Sequence, residues 1–167
     1  AGTGTNGRLG DGDTGSHQRN FFQPVLKAAN TPLTNVLKIE ISLNGVGFLD
    51  TTNNVWWAGN NSDGIWGTGE GDVATGWATI KQTGIVDFWM PVSAKGFVAA
   101  FYLKADLTLW ATGNNTDYQL GVVQSGEVAV TVLERVALPR DECPIKIKRA
   151  GAVGNDSTAY LGTLFLT

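Results

Sequence analysis

The sequence has 167 residues, a length that fits one domain able to bury a real hydrophobic core. Only 16% of the residues are charged and the net charge is −3, which excludes the broad basic surface that nucleic-acid binding needs. No apolar run reaches the roughly 18 residues of a membrane helix, so membrane insertion is not predicted either. A single cysteine, Cys143, excludes an internal disulfide. One basic cluster is present and is interpreted as the solvated face of a strand, formed by Lys146, Lys148 and Arg149.

The predicted elements are almost all β-strands. Short segments rich in β-branched and aromatic residues alternate with Asn-Gly, Asp-Gly and Asn-Asn turn signals. In chain order these predicted strands are 36–41, 54–58, 97–102, 107–111, 128–132, 145–148, 159–161 and 164–166. Short glycine-containing links are expected at 44–47, 93–96 and 151–154. Residues 72–83 have the weakest pattern and are predicted to form a loop, and no helix is predicted.

A glycine-centred segment occurs three times, at Gly2–Gly10, Gly59–Gly67 and Gly113–Gly121. The closing glycines recur at intervals of 57 and 54 residues, a period typical of a repeated supersecondary unit. The repeats are predicted at 1–57, 58–111 and 112–167. Both ends of the sequence fall at the same phase of the repeat. We therefore expect either an excerpt of a longer repeat protein or copies that associate to close a ring.

The residues of these segments have predicted structural roles. Glycine supplies a positive φ in tight turns, and asparagine bonds the nearby backbone. The large apolar residue before the closing glycine is expected to point inward, and the tryptophan of the preceding strand to fill space between sheets. The residues assigned to these roles are Gly7, Leu9, Gly10, Trp57, Gly59, Asn61, Gly64, Trp66, Gly67, Trp110, Gly113, Asn115, Leu120 and Gly121.

Residues 57–69 resemble the repeat signature of the regulator of chromosome condensation family, Trp-Ala-x-Gly-x-Asn followed by Gly-Gln-Leu-Gly-x-Gly. Residues 109–121 match it equally well except at Tyr118, which replaces a glycine. The first copy departs from it at Gly4, where Asn is usual, and at Arg8, where Gln is usual. The resemblance implies an all-β fold built from four-stranded antiparallel blades of a β-propeller. Family members usually have seven blades, so the chain is expected to supply about three blades of a larger propeller.

The resemblance implies several functions. Some family members promote nucleotide exchange on a small GTPase and bind chromatin, but the surface loops and insertion for that activity are not matched here. Divergent copies occur in bacterial and phage proteins as adhesion or structural modules. We therefore expect a non-catalytic module without a cofactor, in a virion (phage tail or fibre) or at a cell surface. Its expected partners are proteins, other copies of itself or a cell-surface glycan. The alternatives are a cytoplasmic small-GTPase regulator and a glycan-binding lectin or glycan-active enzyme.

Local motifs for chemistry are sparse. Gly2–Gly7 fits G-x-G-x-x-G, but neither a preceding strand nor a following helix accompanies it, so no dinucleotide site is predicted. Asp11 and Asp13 in a glycine-rich loop are weak candidates for a calcium site, with a solvated loop as the alternative. His17, the only histidine, cannot form an ordinary zinc site alone and is predicted to lie in a polar surface loop.

Two further groups of residues are considered as sites. A carboxylate pair for glycoside hydrolysis would have to come from residues without a local signature, namely Asp63, Glu70, Asp72 and Asp117. Trp77 and Trp89 are possible ligand-contact aromatics, and Phe88, which precedes Trp89, is considered with them. Core packing is the alternative for each. The sequons at Asn60, Asn114 and Asn155 are interpreted as by-products of the repeat motif.

Overall fold

The computed structural model describes residues 1–91, 98–116, 118–123 and 129–138, together with the backbone of two strands near the C-terminus. It contains fourteen described strands: β1 Gly2–Gly4, β2 His17–Arg19, β3 Leu26–Ala28, β4 Thr31–Pro32, β5 Val36–Ile41, β6 Gly45–Asp50, β7 Asn54–Asn60, β8 Ala74–Thr83, β9 Ile85–Trp89, β10 Ala99–Lys104, β11 Leu109–Gly113, β12 Val130–Arg135, β13 Val153–Asn155 and β14 Thr158–Tyr160. A single 3-10 turn at Ser62–Gly64 is the only helical element in these ranges. In the same ranges, no helix has the length and apolar character needed to cross a membrane.

Two four-stranded sheets form the body of the chain. Strands β5, β6, β7 and β8 are hydrogen-bonded in that order, and β9 to β12 form a second sheet in the same way. Every pairing within them is antiparallel. We call these sheets blade 1 and blade 2. The predicted all-β fold of four-stranded antiparallel blades is confirmed.

Smaller sheets lie at both ends of the described chain. Strands β1 and β2 pair as a two-stranded sheet, which we call the half-blade, and β3 pairs with β4 in a short hairpin. Strands β13 and β14 form another two-stranded sheet. The chain therefore runs from a half-blade through two complete blades to a separate hairpin.

The largest aromatic side chains pack between blade 1 and blade 2. The rings of Trp57 and Phe88 meet edge to face with centroids 6.3 Å apart, and Phe88 stacks on Tyr102 at the same separation. All three side chains are fully buried in one cluster with Ile65 and Trp66. Burying each large apolar side chain contributes about 1.5–3 kcal/mol, so this cluster is a main source of cohesion between the blades.

The predicted loop at 72–83 is wrong, because β8 is a ten-residue strand and the longest in the described chain. Its buried face is formed by Gly76 and Ala78. A side chain at Gly76 would collide with the Gly12 backbone, since its Cβ would lie 2.7 Å from the Gly12 carbonyl carbon. The strand uses small residues where the half-blade approaches closely, and this removes the hydrophobic alternation that normally identifies a strand.

The predicted link at 44–47 is also largely wrong, since Gly45–Asp50 is strand β6. Its glycines reflect close packing, because a Cβ at Gly45 would lie 2.6 Å from the Ala58 carbonyl oxygen and one at Gly47 would lie 2.8 Å from the Phe88 ring. Strand β5 has the predicted bounds, and β7 extends to Asn60. The predictions at 93–96, 145–148 and 164–166, and those for Cys143 and the basic cluster, lie outside the described residues.

Candidate protein-contact site

Two buried asparagines organise the glycine-centred segments. The Oδ1 atom of Asn61 accepts a hydrogen bond of 2.9 Å from the Trp66 N–H, and Oδ1 of Asn115 accepts one of 3.1 Å from the Leu120 N–H. The Nδ2 atom of Asn61 also donates to the carbonyl oxygens of Glu70 and Gly71. Because both side chains are buried, these bonds satisfy groups that water cannot reach. The two asparagine side chains therefore stabilise the turns by hydrogen bonding to backbone groups of the same segments.

The seven glycines assigned to the segments all have positive φ, from 64° at Gly10 to 118° at Gly59. Gly64 shows why a side chain is excluded: its Cβ would lie 2.6 Å from the Thr131 Cα in β12. In the first segment, a Cβ at Gly7 would likewise clash with the Thr75 carbonyl group in β8. The first and second segments therefore pack directly on the fourth strand of the blade that follows each of them, β8 and β12 respectively.

Asp11 and His17 form a compact charged contact in the half-blade. The Nε2 atom of His17 lies 2.9 Å from Asp11 Oδ2, and Nδ1 lies 2.9 Å from the Gly15 carbonyl oxygen. The Nε atom of Arg19 donates to the same Asp11 oxygen at 3.0 Å. The prediction that His17 lies in a surface loop is wrong, because His17 is in β2 and its side chain is only 12% exposed.

This geometry determines how the two groups ionise. Burial opposes the charge on Asp11, but hydrogen bonds from His17 and the Asp13 N–H, with the charges of His17 and Arg19, hold the pKa of its carboxyl below the usual value. The pKa of His17 is raised, first by the Gly15 carbonyl and then by Asp11. Asp11 thus already has cationic partners, and Asp13 Oδ1 accepts from the Gly15 N–H. Across the described ranges no three carboxylate, His or Cys groups converge as a metal site would require, so the calcium candidate gains no support.

Among the described candidate carboxylates, Glu70 and Asp63 already have partners within the protein. Glu70 accepts hydrogen bonds of 2.8 Å from Lys81 Nζ and from Thr68 Oγ1, which lower the pKa of its carboxyl. Burial raises the pKa of Asp63; the Val98 N–H opposes this shift and the nearby Asp72 adds to it. Asp117 lies outside the described residues. Glu70 therefore forms an ion pair with Lys81, and Asp63 accepts a hydrogen bond from the Val98 N–H.

Most of the candidate aromatic side chains are buried by contacts within the protein. Trp89 is buried in blade 2, with Lys38 Nζ 4.6 Å from its ring centroid, and Phe88 is fully buried. Trp77 is half-buried, and its ring lies 2.3 Å from where a Cβ on Gly12 would be. Only Trp77 keeps partial access to solvent. At the sequons, Asn114 is buried and its Oδ1 accepts from Gln119 Nε2, while the side chain of Asn155 lies outside the described residues.

Two exposed phenylalanines were missed by the sequence analysis. Phe21 is 58% exposed and Phe22 is 93% exposed, on the loop of residues 20–25 between β2 and β3. The loop borders a cleft of about 430 Å³ lined by Asp11, Arg19, Gln23, Pro24, Leu26, Asn30 and Pro32. The available signal was the Phe-Phe pair itself, which lies between polar residues without the alternation of a strand.

Both ends of this loop are fixed. At its start, Arg19 in β2 is bonded to Asp11. At its end, the Leu26 N–H donates to the Gly10 carbonyl at 2.7 Å, and the Leu33 N–H donates to the Val25 carbonyl at 2.8 Å. The loop therefore presents two large apolar rings from a defined position beside a polar cleft.

Comparisons with known proteins show the fold. No protein-family model matches the sequence, and no curated protein matches it. Among solved structures, yeast RCC1 (Prp20) bound to Kap60 is similar over 83% of this chain, with a TM-score of 0.56 and 19% identity. Human WBSCR16 is similar over 83% of the chain, with a TM-score of 0.52 and 16% identity.

Another structure of Prp20p from Saccharomyces cerevisiae is similar over 77% of the chain, with a TM-score of 0.53 and 19% identity. Prp20p binds Gsp1p and histones. The chain spans 28%, 31% and 27% of the lengths of these three proteins. At these identities the likeness shows the fold alone, and that fold is the β-propeller of RCC1-like structures.

Proposed function

We propose that this chain is a non-catalytic, protein-binding β-propeller module whose partner docks on the loop of residues 20–25. The observation that carries the proposal is the exposure of Phe22 and its neighbour Phe21 on a loop anchored at both ends. Large aromatic side chains are frequent anchors of protein interfaces, and a fixed loop loses little conformational entropy on binding. The polar cleft beside the loop supplies hydrogen-bonding groups for the rim of such an interface.

A small GTPase is the partner class that we place first. The likeness to RCC1 structures and the motif resemblance both support a regulator of nucleotide exchange, which the sequence analysis held as an alternative. The expected virion or cell-surface role and the glycan partner gain no support from the compared structures. They remain expectations from composition and resemblance alone.

Binding to a panel of purified small GTPases and release of a fluorescent GDP analogue from them test this proposal. We expect micromolar or tighter binding to at least one GTPase, weakened at least 10-fold by Phe21→Ser with Phe22→Ser. Val123→Ser, at an exposed valine two residues after the third segment, is the matched control and should leave affinity unchanged. Accelerated GDP release would support exchange activity. Absence of binding across the panel would remove the GTPase assignment, and partner binding that survives the double substitution would contradict the proposed surface.

A further inference from the structure

The connection from the half-blade to blade 1 is longer than the connection between the two blades. Residues 20–35 separate β2 from β5, whereas Gly84 alone separates β8 from β9. The longer connection contains the β3–β4 hairpin and the exposed Phe21 and Phe22. Joining one blade to the next does not require these added residues, and insertions of this kind in repeat proteins often form the binding face.

The cleft of about 430 Å³ beside this loop is formed by residues 11–32. Its apolar lining comes from Pro24, Leu26 and Pro32, and the charged residues in the described lining are Asp11 and Arg19. The charge that a ligand meets in the cleft therefore depends on how these two side chains are paired within the protein.

The Asp11 carboxylate is already paired. Its side chain is only 6% exposed, Oδ2 accepts from Arg19 Nε and lies 2.9 Å from His17 Nε2, and Oδ1 accepts from the Asp13 N–H. The side chain of Asp13 is paired as well, since Oδ1 accepts from the Gly15 N–H and Oδ2 lies 3.5 Å from His17 Nδ1. Neither carboxylate is therefore left to bind a cation in the cleft.

Arg19 keeps hydrogen-bond donors for a ligand. Its Nε bond to Asp11, 3.0 Å long, fixes the position of the guanidinium, and its side chain is 36% exposed. No described residue accepts a hydrogen bond from either Nη atom. A guanidinium presents its N–H groups as a planar fork that matches the two oxygens of a carboxylate. The Nη donors of Arg19 are therefore positioned for an anionic group that enters the cleft.

We propose that Arg19 binds an aspartate or glutamate side chain of the partner that docks on Phe21 and Phe22. This inference rests on the proposed function and adds the chemistry of the partner, which is a segment with a carboxylate beside large apolar side chains. Paired N–H···O bonds to a carboxylate are stronger and more directional than neutral contacts. One cation beside Asp11 suits the single charge of a carboxylate better than the higher charge of a phosphate group.

Selection from a library of short random peptides tests the proposal without any GTPase. Peptides that bind the full wild-type chain, after depletion on Arg19→Gln, should carry Asp or Glu beside large apolar residues. In fluorescence polarisation, changing the acidic residue of a selected peptide to its amide should weaken binding to the wild type by about 10-fold or more. This comparison needs no variant of the protein, so it holds even where Arg19→Gln is poorly folded.

Two variants show whether the guanidinium fork or charge alone is responsible. Arg19→Lys keeps the charge without the fork and should also bind the acidic peptide more weakly. Lys27→Gln, on exposed β3 and outside the described lining of the cleft, removes the same charge as Arg19→Gln and is the matched control. Its affinity for the peptide should stay within about 2-fold of the wild type.

The outcomes separate this inference from the proposed function. Selected peptides without Asp or Glu, a failure to select any peptide, or equal binding of acid and amide peptides would overturn the carboxylate site. Displacement of the peptide by inorganic phosphate, but not by acetate at the same concentration, would also overturn it. Acid-dependent binding that survives Phe21→Ser with Phe22→Ser would keep the Arg19 contact and contradict the proposed docking loop, whereas loss of acid-independent binding in that variant would do the reverse.

Discussion

The ring of His17 lies in the space that a side chain at Gly4 would need, because a Cβ on Gly4 would lie 2.5 Å from His17 Cε1. The two residues face each other across the β1–β2 pairing. Gly4 holds the position that a buried asparagine holds in the other segments, at Asn61 and Asn115. In the first copy a ring from the neighbouring strand occupies that space, and the Asp11–His17 contact fixes it.

The titration of His17 should show this contact directly. Both ring nitrogens face acceptors, the Gly15 carbonyl and Asp11, and both are satisfied only by the imidazolium form. Because the pKa is raised above 6.5, the stability from this contact is fully present below pH 6.5 and is lost as pH rises through the folded pKa. His17 is the only histidine, so one imidazole resonance in an NMR titration reports it.

We expect the Asp11→Asn variant to lower the His17 pKa toward 6.5, since the carboxylate charge is removed. Asp72→Asn, which is outside the half-blade, is the matched control. A His17 pKa at or below 6.5 in the wild type would contradict the assigned contact.

Asn61→Ala should destabilise the protein by about 2–4 kcal/mol. The substitution leaves the N–H of buried Trp66 unpaired, which costs about 1–3 kcal/mol, and removes two hydrogen bonds to the carbonyls of the exposed residues Glu70 and Gly71, each worth about 0.5–1.5 kcal/mol. Urea unfolding followed by tryptophan fluorescence measures the difference. Asn20→Ala, at an exposed asparagine, serves as the control and should change stability by less than about 0.5 kcal/mol.

Gly64→Ala and Gly84→Ala separate backbone strain from crowding, because both glycines have a φ of 71°. A Cβ at Gly84 meets nothing within 4 Å. The Gly84→Ala variant should therefore be destabilised only by the strain of an alanine in the left-handed conformation, about 1–2 kcal/mol. A Cβ at Gly64 would lie 2.6 Å from the Thr131 Cα, which adds about 1–3 kcal/mol of overpacking. Equal loss of unfolding free energy in the two variants would show that the segment does not seat tightly on β12.

Asp50 should make the protein acid-sensitive between about pH 4 and pH 2. Burial opposes its ionisation, but its carboxylate accepts hydrogen bonds from Trp56 Nε1, from the N–H and O–H of Thr52 and from the N–H of Asn54, and these lower its pKa to about 2. A lowered folded pKa gives stability that is present above the unfolded value and lost as pH falls through the folded one.

Asp50→Asn should therefore be less stable than the wild type at pH 6, by on the order of 2 kcal/mol. That difference should shrink as the pH falls from 4 to 2. Urea unfolding at a series of pH values measures it, and a difference that does not change with pH would rule out the carboxylate as its cause.

Several features of the fold were predictable because they depend on local backbone chemistry. Glycines that must adopt positive φ, and asparagines beside them, identify turns by residue type alone. Strand β5 alternates in the sequence and was predicted with its observed bounds. Strand β8 was not predictable, since its buried residues Gly76 and Ala78 are small for a reason that lies in the distant Gly12.

The candidate site was less predictable than the fold. Trp89 and Phe22 are both aromatic residues outside the repeated motif, yet Trp89 is buried and Phe22 is almost fully exposed. Residue type gives the same expectation for both. Their difference depends on which neighbouring strands cover each ring.

The sequence by itself determined that the chain is a repeated all-β structure, because turn chemistry and strand alternation are encoded within a few residues. Only the tertiary structure decided which surfaces are covered. It paired Asp11 with His17, exposed Phe21 and Phe22, and buried Phe88. Burial and charge pairing depend on contacts between residues far apart in the chain, and no local pattern encodes those contacts.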